Sequence, residues 1–222
     1  MKDKYSIFLA LMVLSFYVIS CTPAQPAAST PAPEVKPSPQ QQATPQPAAQ
    51  KQEVSAEVSE LLEKSKTRVK NVYYKYKGPE TGDNFHDFYV KGGKIKYLPY
   101  LAIKTLDKPE SFDTVFIDKA AGTAESYCIA AYCKFKGKKQ DLSYGDAYIQ
   151  TVLDWIEGPT QAKKVGEEVI DDRATWKIET NRGILWVDTF YGIPLKAESG
   201  GKTYRFQQIS ANSVQDSDVV PK

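Results

Sequence analysis

The sequence predicts an α+β domain that is mainly antiparallel β-sheet, and three observations carry that expectation. From Val72 onward, apolar and polar residues alternate with period two: Val72, Tyr74 and Tyr76 against Tyr73, Lys75 and Lys77. That is the pattern of a strand with one buried face. The last third of the chain reads as five such runs joined by four short turns rich in Asp, Asn, Gly and Pro, which implies sequential antiparallel neighbours. One long stretch, Glu53 to about Lys70, instead follows the 3.6-residue period of an amphipathic helix, through Val54, Val58, Leu61, Leu62, Ser65 and Val69. Aromatic residues make up 12% of the chain, with 14 Tyr, which suits a sheet better than a helical bundle.

Ahead of this domain the chain reads as two further segments. Lys2 and Lys4 precede an uncharged, mostly apolar run that ends in V-I-S-C at Val18 to Cys21. A small residue just before a Cys, after such a run, resembles the lipobox of bacterial-type lipoproteins. The resemblance implies that residues 1–20 are a signal peptide, that cleavage falls before Cys21, and that Cys21 is lipidated. The competing reading is an uncleaved transmembrane helix, but the run of about 16 residues is shorter than the roughly 20 that a span needs. Residues 21–52 then form a tether: Thr22 to Gln52 holds eight of the 14 prolines, with Ala and Gln between them and no aromatic residue. Such a composition buries too little apolar surface to offset its ordering entropy, so an extended, polyproline-like connection is expected.

Residues 53–222 are the folded domain. Within its leading helix, Glu53, Glu57, Glu60 and Glu63 come early and Lys64, Lys66, Arg68 and Lys70 late, an order that complements the helix dipole. Phe85 to Val90 and Ile95 to Leu98 read as a hairpin about Lys91-Gly92-Gly93-Lys94. Thr114 to Asp118 and Ser126 to Cys128 form a further candidate pair. Ala147 to Ile156 reads as a short helix with Ile149, Val152, Leu153 and Ile156 on one face, stopped by Gly158-Pro159. The meander follows: Lys163 to Ile170, Ala174 to Thr180, Ile184 to Asp188, Leu195 to Ser199 and Thr203 to Ile209. Its hairpin Trp186 to Glu198, W-V-D-T-F-Y-G-I-P-L-K-A-E, is expected at the centre of the sheet.

Three pieces of the meander resemble the LolA-like superfamily of envelope proteins: Val165 to Glu179, Leu185 to Glu198 and Thr203 to Asn212. The order of leading helix, strands, inserted helix and meander is similar as well. The resemblance implies a strongly curved antiparallel sheet, an open half-barrel whose concave side is covered by the leading helix and a short inserted helix. It also implies an apolar ligand, a lipid or the acyl chains of a lipoprotein, held in the half-barrel for transport or sorting. Candidate cavity residues are Tyr74, Tyr76, Phe116, Trp176, Ile178, Trp186, Tyr204 and Phe206. The alternative for these residues is a filled core, in which case the same fold is an envelope sensor or protein-interaction domain without a ligand. Leu98, Tyr100 and Leu101, in the apolar run Y-L-P-Y-L-A-I, are the candidate lip of such a cavity.

No sequence feature points to catalysis. G-x-S-x-G, phosphate-cradling, H-E-x-x-H and EF-hand patterns are missing, and no cofactor or metal is expected. His86 is the single histidine, in an alternating strand where an exposed position is expected, with general acid or base work in an envelope enzyme as the alternative. Cys128 and Cys133 flank I-A-A-Y; outside the cytoplasm a disulfide is the natural pairing, with redox or metal chemistry as the alternative. Lys134, Lys136, Lys138 and Lys139 form a basic cluster, read either as a solvated turn or as a face for anionic headgroups. A net charge of +2 and the lack of interleaved aromatics argue against nucleic acid. The expected partners are therefore a membrane, reached through the lipid anchor on its extracytoplasmic face, a lipid or lipoprotein ligand, and an envelope protein. Replacing Cys21 by Ala is expected to release the protein from the membrane fraction; retention of the variant would rule out the lipid anchor.

Overall fold

The computed structural model describes residues 53–100 and 106–221. Cys21, the signal sequence, the tether and Leu101 lie outside the described residues. Helix α1 (Ala56–Arg68) leads into β1 (Asn71–Lys77), β2 (His86–Lys91), β3 (Lys94–Leu98), β4 (Thr114–Asp118), β5 (Thr123–Tyr127) and β6 (Lys139–Leu142). A four-residue helix, α2 (Tyr144–Ala147), precedes the meander β7 (Ala162–Ile170), β8 (Arg173–Thr180), β9 (Gly183–Asp188), β10 (Pro194–Ser199) and β11 (Lys202–Ala211). The strands form one 11-stranded antiparallel sheet in the order β6-β5-β4-β3-β2-β1-β11-β10-β9-β8-β7. The meander strands fall within a residue or two of the positions expected from alternation.

The sheet is open. Strands β6 and β7 are its edges, and each pairs with a single neighbour. The expected strongly curved half-barrel is therefore not formed. Turn chemistry and alternation specify which strands are neighbours, and they carry no information about how far the sheet curls. The middle of the sheet is β1, so the Trp186–Glu198 hairpin lies off centre, on the β10–β9 side. Edge strand β7 carries a bulge between Lys164 and Gly166 and the charges of Lys163, Lys164, Glu167 and Glu168. Both features disfavour pairing with another chain.

One face of the sheet, the inner face, is filled. Tyr74 and Tyr76 of β1 sit between their cross-strand partners Phe88 of β2 and Phe206 of β11. Ring centroids are 5.3 Å apart for Tyr74–Phe88 and Tyr76–Phe88, 5.7 Å for Tyr74–Phe206 and 5.8 Å for Tyr76–Phe206. All four side chains are at most 1% exposed. Each such ring contact contributes about 0.5–1.5 kcal/mol beyond area burial. Val58, Leu61 and Leu62 of α1 join this core, as do Ile178, Leu185, Val187, Leu195 and Ala197 from β8 to β10. Of the eight candidate cavity residues, Tyr74, Tyr76, Ile178 and Phe206 are core, with Trp176 and Tyr204 packed against it. The cavity for a lipid or acyl chain is thus not formed, because its expected lining is packed against itself.

Phe116 and Trp186 face the other way. Trp186 pairs across β9 with Lys177 and Lys196 rather than with the core, and their ammonium groups lie 4.9 and 4.0 Å from its ring. It is 3% exposed under these two aliphatic stems. Position in an alternating strand does not say which face is the core, and β9 is buried on both faces from Leu185 to Asp188.

The segment after α2 covers the inner face, but it is not the helix expected over Ala147–Ile156. Asp154 accounts for this. Its Oδ2 accepts the Thr151 N–H at 2.6 Å, the Thr151 hydroxyl at 2.5 Å and the Tyr148 hydroxyl at 2.7 Å. These side-chain bonds replace helical ones with a tight turn. Lys119, in the β4–β5 turn, binds Asp154 Oδ1 at 2.6 Å, while Arg182, in the β8–β9 turn, donates to the carbonyls of Asp154 at 2.8 Å and Glu157 at 3.0 Å. Beneath the segment, Val152 N–H donates to the Tyr74 hydroxyl at 3.3 Å and Tyr97 donates to the Ala147 carbonyl at 3.2 Å. The buried hydroxyls thus find partners in the lid itself.

Helix α1 is seated by the β9–β10 turn. Gly192 has φ +71°, and a Cβ there would collide with the carbonyl oxygen of Leu61. Arg68 donates to the Phe190 carbonyl at 2.7 Å and Lys64 to that of Thr189 at 3.2 Å. Gly192→Ala is expected to cost more than about 1 kcal/mol, since the conformation and the space both exclude a Cβ; a chemical-denaturation midpoint checks it. The lid makes stability pH-dependent. Burial would raise the Asp154 carboxyl pKa, but hydrogen bonds from Lys119, Thr151 and Tyr148 outweigh it and hold the group below its ordinary 3.8. Its contribution is therefore present above pH 3.8 and lost as pH falls through the lower folded value. Asp154→Asn should remove about 1–3 kcal/mol at neutral pH and flatten this acid limb in urea titrations run across the range.

Candidate functional site on the outer face

Exposed large apolar side chains lie at three places: Val165 and Val169 on edge strand β7, Phe190 in the β9–β10 turn, and a group of four, Tyr100, Ile129, Tyr132 and Phe135, about a disulfide loop. Strand β4 begins just after Asp113, and β5 ends at Tyr127, just before Cys128. The Asp113 N–H donates to the Tyr127 carbonyl at 3.0 Å, so the acid stands where the loop leaves the sheet. Its Oδ1 accepts the Ile129 N–H at 3.0 Å and the Thr114 hydroxyl at 2.8 Å, and its Oδ2 accepts the Ala130 N–H at 2.8 Å. Buried to 5% exposure, this carboxylate is a template for the loop's first turn.

Cys128 and Cys133 are joined in a disulfide. Across it run two further backbone bonds, Cys133 N–H to the Ala130 carbonyl at 3.1 Å and Gly137 N–H to the Cys128 carbonyl at 2.9 Å. Leu106 is tied to the loop on both sides, its N–H to the Tyr132 carbonyl at 3.3 Å and its carbonyl to the Lys134 N–H at 2.9 Å. Leu106, Cys128 and Cys133 form a small core of their own. Asp113 and the two sulfurs lie within 4.8 Å of one another. Bonded sulfurs offer no thiolate, and both carboxylate oxygens already accept N–H groups, so this set serves the loop rather than a metal.

The consequence of this bracing is that large apolar side chains are held in solvent. Ile129 is 45% exposed, Tyr132 43%, Phe135 38% and neighbouring Tyr100 56%. Two recesses flank Ile129. One, of about 370 Å³, is lined by Phe85, Leu98, Tyr100, Ile129 and Tyr132 above the Lys75–Asp87 ion pair. The other, of about 360 Å³, has Phe116 and Tyr127 as its floor and Val220 and Pro221 as a wall, with Lys136 at the rim. The wall belongs to the segment after β11, held over the sheet by Lys91–Asp216 at 3.0 Å and by Val214 N–H on Asn71 Oδ1 at 2.7 Å.

Of the residues expected to carry function, Leu98 and Tyr100 line the first recess and Phe116 the second, while the other cavity candidates are elsewhere. The basic cluster divides. Lys139 pairs with Glu125 at 2.8 Å and Asp141 at 3.1 Å, whereas Lys134, Lys136 and Lys138 have no ion pair among the described residues. His86 is half-buried on the inner side, stacked on Tyr97 at 6.4 Å, and burial lowers its pKa. It is not the exposed strand residue expected, because it pairs across from Tyr76 on the filled face. Asp113 and Ile129 had no place in the sequence reading. A legible signal existed for Ile129 and Tyr132 alone: a loop closed after four residues is too short to fold over its own apolar side chains. Asp113→Ala is expected to accelerate amide exchange at Ile129 and Ala130 and disulfide reduction by a thiol, with tryptophan fluorescence of the folded core unchanged.

No family model matches the sequence, and no curated protein matches it. Among solved structures, an uncharacterized conserved protein from Thermus thermophilus is similar at 11% identity and TM-score 0.47, over 75% of this chain and 95% of that one. A chain of the MucA/MucB complex of Pseudomonas aeruginosa is similar at 15% identity and TM-score 0.40; the match covers 75% of this chain but only 62% of that one. A LolA superfamily protein from Nitrosomonas europaea is similar at 12% identity and TM-score 0.30, over 74% of this chain and 97% of that one. These likenesses concern the run of the chain and carry nothing about ligand or partner.

Proposed function

We propose that this chain is a lipid-anchored protein on the extracytoplasmic face of a membrane, and that its folded domain recognises a protein partner through the outer-face platform. One observation carries the reading. The inner face, where a carried ligand would sit, is occupied by Tyr74, Tyr76, Phe88 and Phe206, while rigidly displayed apolar side chains and both recesses beside Ile129 lie on the opposite face. A monomeric surface seldom keeps such residues exposed without an interaction to serve. The Cys128–Cys133 disulfide supports an oxidising compartment, in keeping with the lipobox-like run ending at Cys21. The lid leaves no route for release of a core ligand, since Lys119 and Arg182 hold it from two turns of the sheet. A redox or metal role for the cysteines has no support, and the domain is read as a binding module rather than an enzyme.

The test is a photo-crosslinking residue at position 132 of the full chain in its native cells. The expected product is a discrete protein adduct that disappears when Ile129 is also changed to Asp. Adducts with lipid alone, or none, would overturn the reading. Organic extraction of the purified protein is expected to yield no lipid beyond the covalent anchor.

A further inference from the structure

Resting on the surface-recognition reading, we propose that the partner presents an extended, acidic segment that lies across the Ile129 ridge and sets an apolar side chain in each of the two recesses. The shape of the site points to a peptide. Ile129 is shared by both recesses, so a chain crossing it meets one after the other. Each recess is at the small end of the pocket range, suited to a single bulky side chain rather than a folded domain edge. The second is walled by Val220 and Pro221, giving a slot between the disulfide loop and the segment after β11. Peptide-binding sites that read apolar anchors in this way need a wall that does not move. Here the disulfide, Asp113 and the Leu106 bonds hold one side, and the Asp216 and Asn71 contacts hold the other.

The charge of the site selects the flanks of that peptide. The stretch Cys128 to Gln140 carries four lysines and no carboxylate. Lys139 shares two carboxylates, Glu125 and Asp141, while Lys134, Lys136 and Lys138 are exposed and without an ion pair among the described residues, with Lys136 at the rim of the second recess. Of the carboxylates lining the recesses, Asp87 is paired with Lys75 at 3.0 Å, whereas Asp113 and Asp218 accept backbone N–H groups and keep their charge, so the three free lysines outnumber the two unpaired carboxylates. Carboxylates beside the apolar anchors of a partner would meet uncompensated ammonium groups, whereas a basic segment would meet like charge. An anionic bilayer offers the same charge but has no side chains to place in two walled recesses, so the concave form favours a peptide.

A random linear-peptide display library, panned against the full chain held in zwitterionic nanodiscs and counter-selected on the K134E/K136E/K138E variant, tests this. Enriched peptides should combine Asp or Glu with Phe, Leu or Trp. Their affinity, read by fluorescence anisotropy, should fall about tenfold or more in the triple variant and in I129D, and should weaken as salt is raised. The lysines are solvent-exposed, and near-UV circular dichroism confirms that the variants are folded. Enrichment of basic or uncharged peptides, an empty selection, or affinity unchanged in the triple variant overturns the inference. So does protection of residues 128–138 from hydrogen exchange in anionic but not zwitterionic nanodiscs with no peptide enriched, which gives the loop to the bilayer. If position 132 still cross-links to a protein when the selected peptides are not acidic, only the partner chemistry falls. If position 132 cross-links to nothing, the platform itself is wrong.

Discussion

Four aromatic rings at the middle of the sheet set the terms for the rest of the molecule. Tyr74 and Tyr76 are two residues apart on the central strand, and each meets a Phe on a neighbouring strand, Phe88 on one side and Phe206 on the other. Four bulky side chains packed edge and face across three strands fill the inner face at the middle of the sheet, and the recess left on that side, about 290 Å³, lies between α1 and the covering segment, lined by Leu62, Val69, Leu153 and Ile156. The tyrosine hydroxyls then require partners in that apolar setting. Tyr76 finds Glu80 at 2.7 Å, and Tyr74 finds the amide of Val152 in the covering segment. Burial pushes both phenols well above their ordinary pKa, so they are neutral hydrogen-bonding groups at neutral pH. The lid and the rings therefore stabilise one another: the rings give the lid an apolar surface, and the lid satisfies the rings' polar atoms.

With the middle of the inner face filled, helix α1 is held in place by the β9–β10 turn. The Gly192 backbone lies against the helix backbone at Leu61, an approach that only the smallest residue permits. On the far side of the sheet, a five-residue sequence separation between two cysteines and one buried carboxylate brace the loop that exposes Ile129 and Tyr132. Rigidity matters there because an exposed apolar side chain that is already ordered loses less entropy on binding than one on a mobile loop. The filled core thus lies on one face and the braced Ile129 loop on the other, with the strands β3, β4 and β5 common to both.

Much of the chain's organisation was legible before the structure. The strand positions of the meander, the presence of α1 and the pairing of Cys128 with Cys133 follow from period, turn residues and spacing, all of which act over a few residues. Asp154 shows where local reading ended. Ile149, Val152, Leu153 and Ile156 have helical spacing, yet a side chain competing for the Thr151 amide, and a lysine from a distant turn competing for the carboxylate, make a turn instead. Trp186 shows a second limit. Its strand is apolar at consecutive positions, so alternation does not say which side is the core, and the answer rests on Lys177 and Lys196 covering it from adjacent strands.

The sequence by itself determined that the chain makes a large antiparallel sheet behind one amphipathic helix, with a short disulfide loop. These are consequences of dihedral preference, hydrophobic period and local spacing. Only the tertiary structure decided that the sheet stays open, that its aromatic face is filled, and that Asp113 meets the Cys128–Cys133 loop to raise Ile129 between two recesses. Those outcomes depend on the volumes of side chains from strands far apart in sequence and on which face each strand turns inward, and no window of neighbouring residues contains either quantity.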